Sequence, residues 1–227
     1  MSSSKSRARL VGGLFVLASA TAIAGGGLLL PIRERRFLDA GGTRALLGTG
    51  AVLELALAAA VVAIATLLYP VLRRASESLA ILYVAVRTLE GILVLAATGC
   101  ALIMISAVGT GATSGVGEVL LSGRDWALRL GTLIVFGAGA VVLNAVLRRA
   151  RLVPSWLAWW GLVGGALAVV RGVFELYGVS LPLAVQVVLT APIAVEEMVF
   201  AGWLIAKGLA DGVPAPREVG VPEMSPS

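Results

Sequence analysis

Inside otherwise apolar stretches the chain carries seven ionisable residues: Glu54, Arg87, Glu90, Arg171, Glu175, Glu196 and Glu197. If those stretches cross a membrane, each such group costs roughly 2.5–3.5 kcal/mol on insertion scales, so each must face protein or a cavity instead of lipid. Arg87 and Glu90 stand three apart, which puts them on one helix face and lets them pair. Tyr83 lies one turn earlier on that face. Arg171 and Glu175 form an i,i+4 pair, with Arg171 near enough to a surface to extend toward it. Gln186, Thr190 and Glu197 follow helical spacing and make a second polar stripe, interrupted by Pro192. Glu196 lies about 100° around from Glu197 and is expected to face elsewhere.

The chemistry open to such a set is proton donation. Five carboxyls set against two guanidiniums leave three negative charges without a partner. In a low dielectric some carboxyls are then held as neutral acids, the form in which an acid can give up a proton. Arg87 keeps Glu90 ionised, which leaves Glu197 or Glu54 to hold the proton. The candidate catalytic residues are Glu54, Arg87, Glu90 and Glu197, with Tyr83, Gln186 and Thr190 as substrate contacts. The chain has no histidine and a single cysteine, Cys100. That removes the common metal ligands and any intrachain disulfide, so no cofactor and no metal is expected. The plainer reading is that buried Arg–Glu pairs only fix helix register. It weighs most for Arg171–Glu175.

The elements that position these groups follow from composition. Of 227 residues, 59% are hydrophobic and 14% charged, and mean hydropathy is +0.98. A water-soluble domain could not hide that much apolar surface. A bilayer core of roughly 30 Å takes about 20 helical residues per crossing. The expectation is therefore an all-α, polytopic membrane bundle of about six transmembrane helices. It comprises a basic cytoplasmic N-terminus (1–9), one membrane domain (10–207) and a disordered, proline-rich tail (208–227).

The apolar run Leu10–Leu30 is taken as a retained first helix, although a signal peptide begins similarly. The next segments run Ala45–Tyr69, ending at Pro70, then Leu79–Val108, Trp126–Leu147, Pro154–Val179 and Pro182–Lys207. Trp156, Trp159 and Trp160 anchor the fifth at an interface. Gly161 and Gly165 suit close helix packing. The glycine-rich loop Gly109–Gly117 lacks the Gly-Lys-Ser/Thr ending of a phosphate loop and gets no nucleotide role. Val71-Leu72-Arg73-Arg74-Ala75 recurs as Val146-Leu147-Arg148-Arg149-Ala150, read as two ordinary basic helix ends. By rise per residue, Glu90 lies about 16 Å along its helix and Glu54 about 14 Å along its own, from opposite ends. The two are expected at one depth, in a shared Glu54–Arg87–Glu90 cluster.

The balance of basic residues at helix ends favours both termini in the cytoplasm, with the Arg33–Arg36 cluster arguing the other way. Lys5, Arg7, Arg9, Arg73, Arg74, Arg148, Arg149, Arg151 and Lys207 then lie inside. Arg33, Arg35, Arg36, Arg44, Arg124 and Arg129 lie outside. The net charge of +5 is read as contact with membrane lipid, and no nucleic-acid partner is expected.

Tyr69-Pro70-Val71-Leu72-Arg73 and Arg87-Thr88-Leu89-Glu90 resemble a pattern in the bacterial membrane family called domain of unknown function 4386. So do Leu152-Val153-Pro154-Ser155-Trp156-Leu157, and Glu197-Met198 followed by Trp203-Leu204-Ile205-Ala206-Lys207-Gly208. The resemblance implies a small polytopic protein of the bacterial plasma membrane with Arg87, Glu90 and Glu197 at motif positions. It carries no activity.

Three functions fit. The first is an intramembrane, acid-catalysed enzyme of the terpenoid-cyclase kind, a cyclase or isomerase acting on a hydrophobic isoprenoid or lipid. The others are an accessory, partner-binding membrane protein without catalysis and a proton-coupled transporter. A cavity lined by Glu54, Glu90 and Glu197 favours the first, a dry partner-facing groove the second, and a water path the third. Oligomeric state is left open.

Overall fold

The computed structural model describes residues 2–30, 43–107 and 114–210. The Arg33–Arg36 cluster, much of the Gly109–Gly117 loop and the tail beyond 210 lie outside them. The described helices are α1 (Ser2–Leu28), α2 (Thr43–Leu72), α3 (Glu77–Ala107), α4 (Ser114–Arg129), α5 (Phe136–Arg149), α6 (Ser155–Leu176) and α7 (Leu183–Ala206). A π-helical turn, Leu130–Val135, joins α4 to α5. Together they make one span, Gly115–Arg149, and among the described residues six helices are long and apolar enough to cross a membrane.

Successive spans pack as neighbours, and α7 closes the ring by packing on α1. Short connections favour antiparallel neighbours of this kind. The first and last spans meet near the termini, where Arg9 Nε donates to the Ile205 carbonyl at 3.3 Å. Ala210 N–H donates to the Leu152 carbonyl at 3.0 Å on the same side. Call this the terminal side. It also holds the Arg73–Arg74 and Arg148–Arg151 turns.

Lipid-facing and core-facing positions share the same residue types, so sorting falls to small residues and aromatics. Ala8, Val11, Phe15 and Ala18 of α1 are buried against α2 and α7. Phe15 meets Phe200 edge-on at 5.5 Å between ring centroids, a favoured aromatic geometry. Between α5 and α6 the seam is glycine. A Cβ on Gly165 would stand 2.8 Å from the Gly137 carbonyl, so only hydrogen fits there.

Three boundaries differ from the sequence expectation. The helix of α2 passes Pro70 and ends at Leu72. In the final turn, Arg73 N–H still reaches the Tyr69 carbonyl at 2.9 Å. On α1 the helix begins at Ser2, well before the apolar run. The helix of the fourth span begins at Ser114, not Trp126, because Leu120 and Leu121 pack onto Ala101, Met104 and Ile105 and continue the helix outward.

Candidate functional site

Among the described residues the bundle holds two buried polar clusters and a third that is half-buried, and the sequence expectation had merged the first two. The first centres on Arg87 of α3. Its Nη1 donates to Glu90 Oε2 at 2.9 Å, and its Nη2 lies 4.0 Å from Glu197 Oε1. The guanidinium lies over two rings, 6.0 Å from the centre of Phe15 and 5.7 Å from that of Phe136. Their π density is a substitute for lost hydration. Ser19 of α1 faces the Glu197 carboxyl. A narrow cavity of about 20 Å³ opens beside this group, lined by Tyr83, Arg87, Asn144, Glu196, Glu197 and the three rings Phe15, Phe136 and Phe200. That is room for one or two waters.

Three buried polar atoms here have no hydrogen-bond partner: Arg87 Nε, Asn144 Oδ1 and Glu196 Oε1. Native interiors rarely leave such atoms unsatisfied, and a polar cavity beside them is where a water, ion or mobile proton sits. Glu196 is 3% exposed and lines the cavity beside Glu197. The expectation that it faces elsewhere is therefore corrected. The 100° between adjacent residues separates the side chains without carrying either one out of the bundle. Asn144 escaped the sequence reading altogether. A lone amide in the apolar stretch Val141–Leu147 was its only signal.

The second cluster takes Glu54 away from Arg87. Arg124 of α4 grips it with both nitrogens, Nη2 to Oε1 at 2.6 Å and Nη1 to Oε2 at 3.0 Å. Thr98 adds a hydroxyl 2.8 Å from Oε2, and Arg124 Nη1 also donates to the Ala97 carbonyl at 2.9 Å. The pair is buried and its polar atoms are satisfied. It ties α2, α3 and α4 together. Two expectations change with it. Glu54 has a cation of its own and lies outside the Arg87 cluster, and Arg124 is not an exposed outer-surface charge. The fork geometry of guanidinium on carboxylate makes this a strong registering contact.

The third cluster lies at the end of the bundle opposite the termini. Arg171 Nε donates to Glu175 Oε1 at 3.0 Å, as the i,i+4 spacing predicts. Its other nitrogens donate to Thr190 Oγ1 at 3.1 Å and Gln186 Oε1 at 2.9 Å. Gln186 and Thr190 therefore hold Arg171 and do not line the Arg87 cavity. Along α7, Gln186 and Glu197 are about 16 Å apart by helical rise.

A second, larger cavity lies beside the third cluster, and the π-helical turn stands between it and the narrow cavity at Arg87. Phe136 N–H donates to the Gly131 carbonyl, the i→i+5 bond of a π turn. Such turns recur at functional sites because they displace side chains from α-helical register. Thr132 and Leu133 of this turn line the larger, outer cavity, and Phe136, just after it, lines the inner one.

The family described as a domain of unknown function, DUF4386, matches residues 10–208. The chain belongs to that family. No curated protein and no solved structure matches the chain. The match covers all three clusters and every span but the first turns of α1, and the family's description names no activity.

Proposed function

We propose that this protein is a proton-coupled protein of the bacterial plasma membrane, with the Glu196–Glu197 pair as its proton-exchanging site. The observation that carries the reading is the buried, unpartnered Glu196 Oε1 beside Glu197 in a water-sized cavity. Three carboxyls, Glu90, Glu196 and Glu197, share that region with one guanidinium, Arg87. Glu90 holds the closest contact to Arg87, so charge balance at membrane depth assigns protons to the other two. Arg87–Glu90 positions Glu197, and a water in the cavity relays the proton.

The test uses the purified protein in liposomes. A difference infrared spectrum between wild type and the Glu196→Gln, Glu197→Gln double variant should contain a protonated-carboxyl band. Liposomes loaded with a pH-sensitive dye should take up protons faster than liposomes of the double variant. No protonated-carboxyl difference, together with equal proton uptake, would overturn the reading.

One observation favours the acid-catalysed enzyme as a second reading. Four aromatic residues, Phe15, Tyr83, Phe136 and Phe200, line the cavity beside the acids, the setting that stabilises a carbocation. Volume argues against it. About 20 Å³ admits water but no isoprenoid, and ligand pockets usually run to about 300–1,000 Å³. This reading requires the bundle to open around substrate. An isoprenoid co-purifying with wild type and absent from Phe136→Trp, which fills the cavity, would favour it.

A further inference from the structure

The outer cavity has the volume and the chemistry that the inner one lacks. It measures about 520 Å³ and is lined by Asp125, Trp126, Arg129, Arg171, Glu175 and Gln186 among others. Arg171 is fixed in place by Glu175, Gln186 and Thr190, contacts that use three of its five N–H groups. Arg129 reaches the same carboxylate from the far side, its Nη1 3.3 Å from Glu175 Oε2. The guanidinium of Arg129 leans over the Trp126 ring at 5.6 Å and is 41% exposed. Two guanidiniums thus converge on one carboxylate, each with N–H groups left to offer.

We propose that this vestibule binds a singly charged oxyanion, a phosphodiester or carboxylate, on N–H groups of Arg129 and Arg171 other than those that hold Glu175. Arginine is suited to such planar, two-point recognition. Asp125 and Glu175 bring the lining close to neutral, which favours a monoanion over a polyanion. The source is either an amphiphile or a dissolved solute. Val179 and Leu183, exposed at this end of the bundle, offer an apolar surface for a tail. The site is separate from the Glu196–Glu197 pair, and its test reads binding alone.

The experiment is calorimetric titration of the full chain in non-ionic detergent with three probes. They are dihexanoyl phosphatidylglycerol, its water-soluble headgroup glycerophosphoglycerol, and octanoate. Dihexanoylglycerol, which lacks the charge, is the control. The expected result is binding of at least one anionic probe and none of the control. Arg129→Gln should weaken that binding roughly ten- to hundredfold, the loss of a charge-assisted contact. Arg171→Lys keeps the charge but loses the fork, and should weaken it similarly. Equal affinity for lipid and headgroup points to a dissolved solute, and binding of the lipid alone to a membrane headgroup. Either supports the site. No binding of any anionic probe, equal binding of the control, or indifference to both substitutions in well-folded protein would overturn it.

Discussion

Arg87 is in contact with more of the buried chemistry than any other residue in its cluster: Glu90, Glu197 and the rings of Phe15 and Phe136. Its removal leaves Glu90 with no close cation, and breaking a buried pair from one side costs about 3–5 kcal/mol. Arg87→Leu should therefore lower the thermal midpoint of the purified protein steeply. Adding Glu90→Gln to Arg87→Leu should restore much of the loss, because no stranded charge remains. A double variant as unstable as Arg87→Leu alone would show that ring packing, not charge, sets the cost. The sequence made this pair legible because spacing of three residues on a helix dictates contact. It did not reveal the partner of Glu54. That partner, Arg124, lies 70 positions away on a helix whose first turns looked like loop, so no local periodicity linked them. Glu196 was misjudged for a related reason. Helical angle tells which way a residue points on its own helix but not how wide the protein-facing arc is.

Helices α5 and α6 show what the elements contribute. Their contact is built from absent side chains: Gly137 against Gly165, and Gly161 against Asn144. In lipid there is little hydrophobic drive between helices, so close backbone approach does the holding. The Gly161–Gly165 spacing was readable for that reason, whereas the helix it packs on was not. A Cβ at Gly165 meets backbone at 2.8 Å, and backbone cannot rotate away. Gly165→Ala should thus destabilise by about 1–3 kcal/mol, as overpacking does. Gly202→Ala is the matched control, because a Cβ there meets nothing within 4 Å. It should be neutral, or stabilising by up to about 1 kcal/mol through the gain in helix preference. Chemical denaturation in detergent compares the two, and equal effects would mean that the seam is not tightly packed. The π turn was beyond sequence reading. Nothing in Leu130–Val135 marks an i→i+5 bond, although the turn packs closely on its neighbours, Gly131 near Leu93 and Ile134 near Gly172.

At the scale of the whole molecule, the six spans form a closed antiparallel ring with both described ends on one side and the vestibule on the other. Apolar run length made the number of spans legible from sequence alone, since bilayer thickness sets it. Sidedness rests on charge, and here the buried Arg124–Glu54 pair alters the balance. Arg124 is neutralised inside the bundle and does not count toward the outer surface. Among the described side chains, Arg129 then stands near the vestibule, with Arg171 tethered beside it. The terminal side keeps Lys5, Arg7, Arg9, Arg73, Arg74, Arg148, Arg149, Arg151 and Lys207. The asymmetry predicts a cytoplasmic terminal side and a vestibule open to the outside. Single cysteines can read this once Cys100, the one native thiol, is replaced by alanine. Ser180 lines the vestibule, while Ala75 sits in the turn after α2, and both are exposed. In intact cells a membrane-impermeant maleimide should label Ser180→Cys and leave Ala75→Cys unlabelled. Permeabilising the cells should then bring Ala75→Cys to a similar extent of labelling. Labelling of Ala75→Cys first would invert the protein in the membrane, and with it the compartment from which any vestibule ligand arrives.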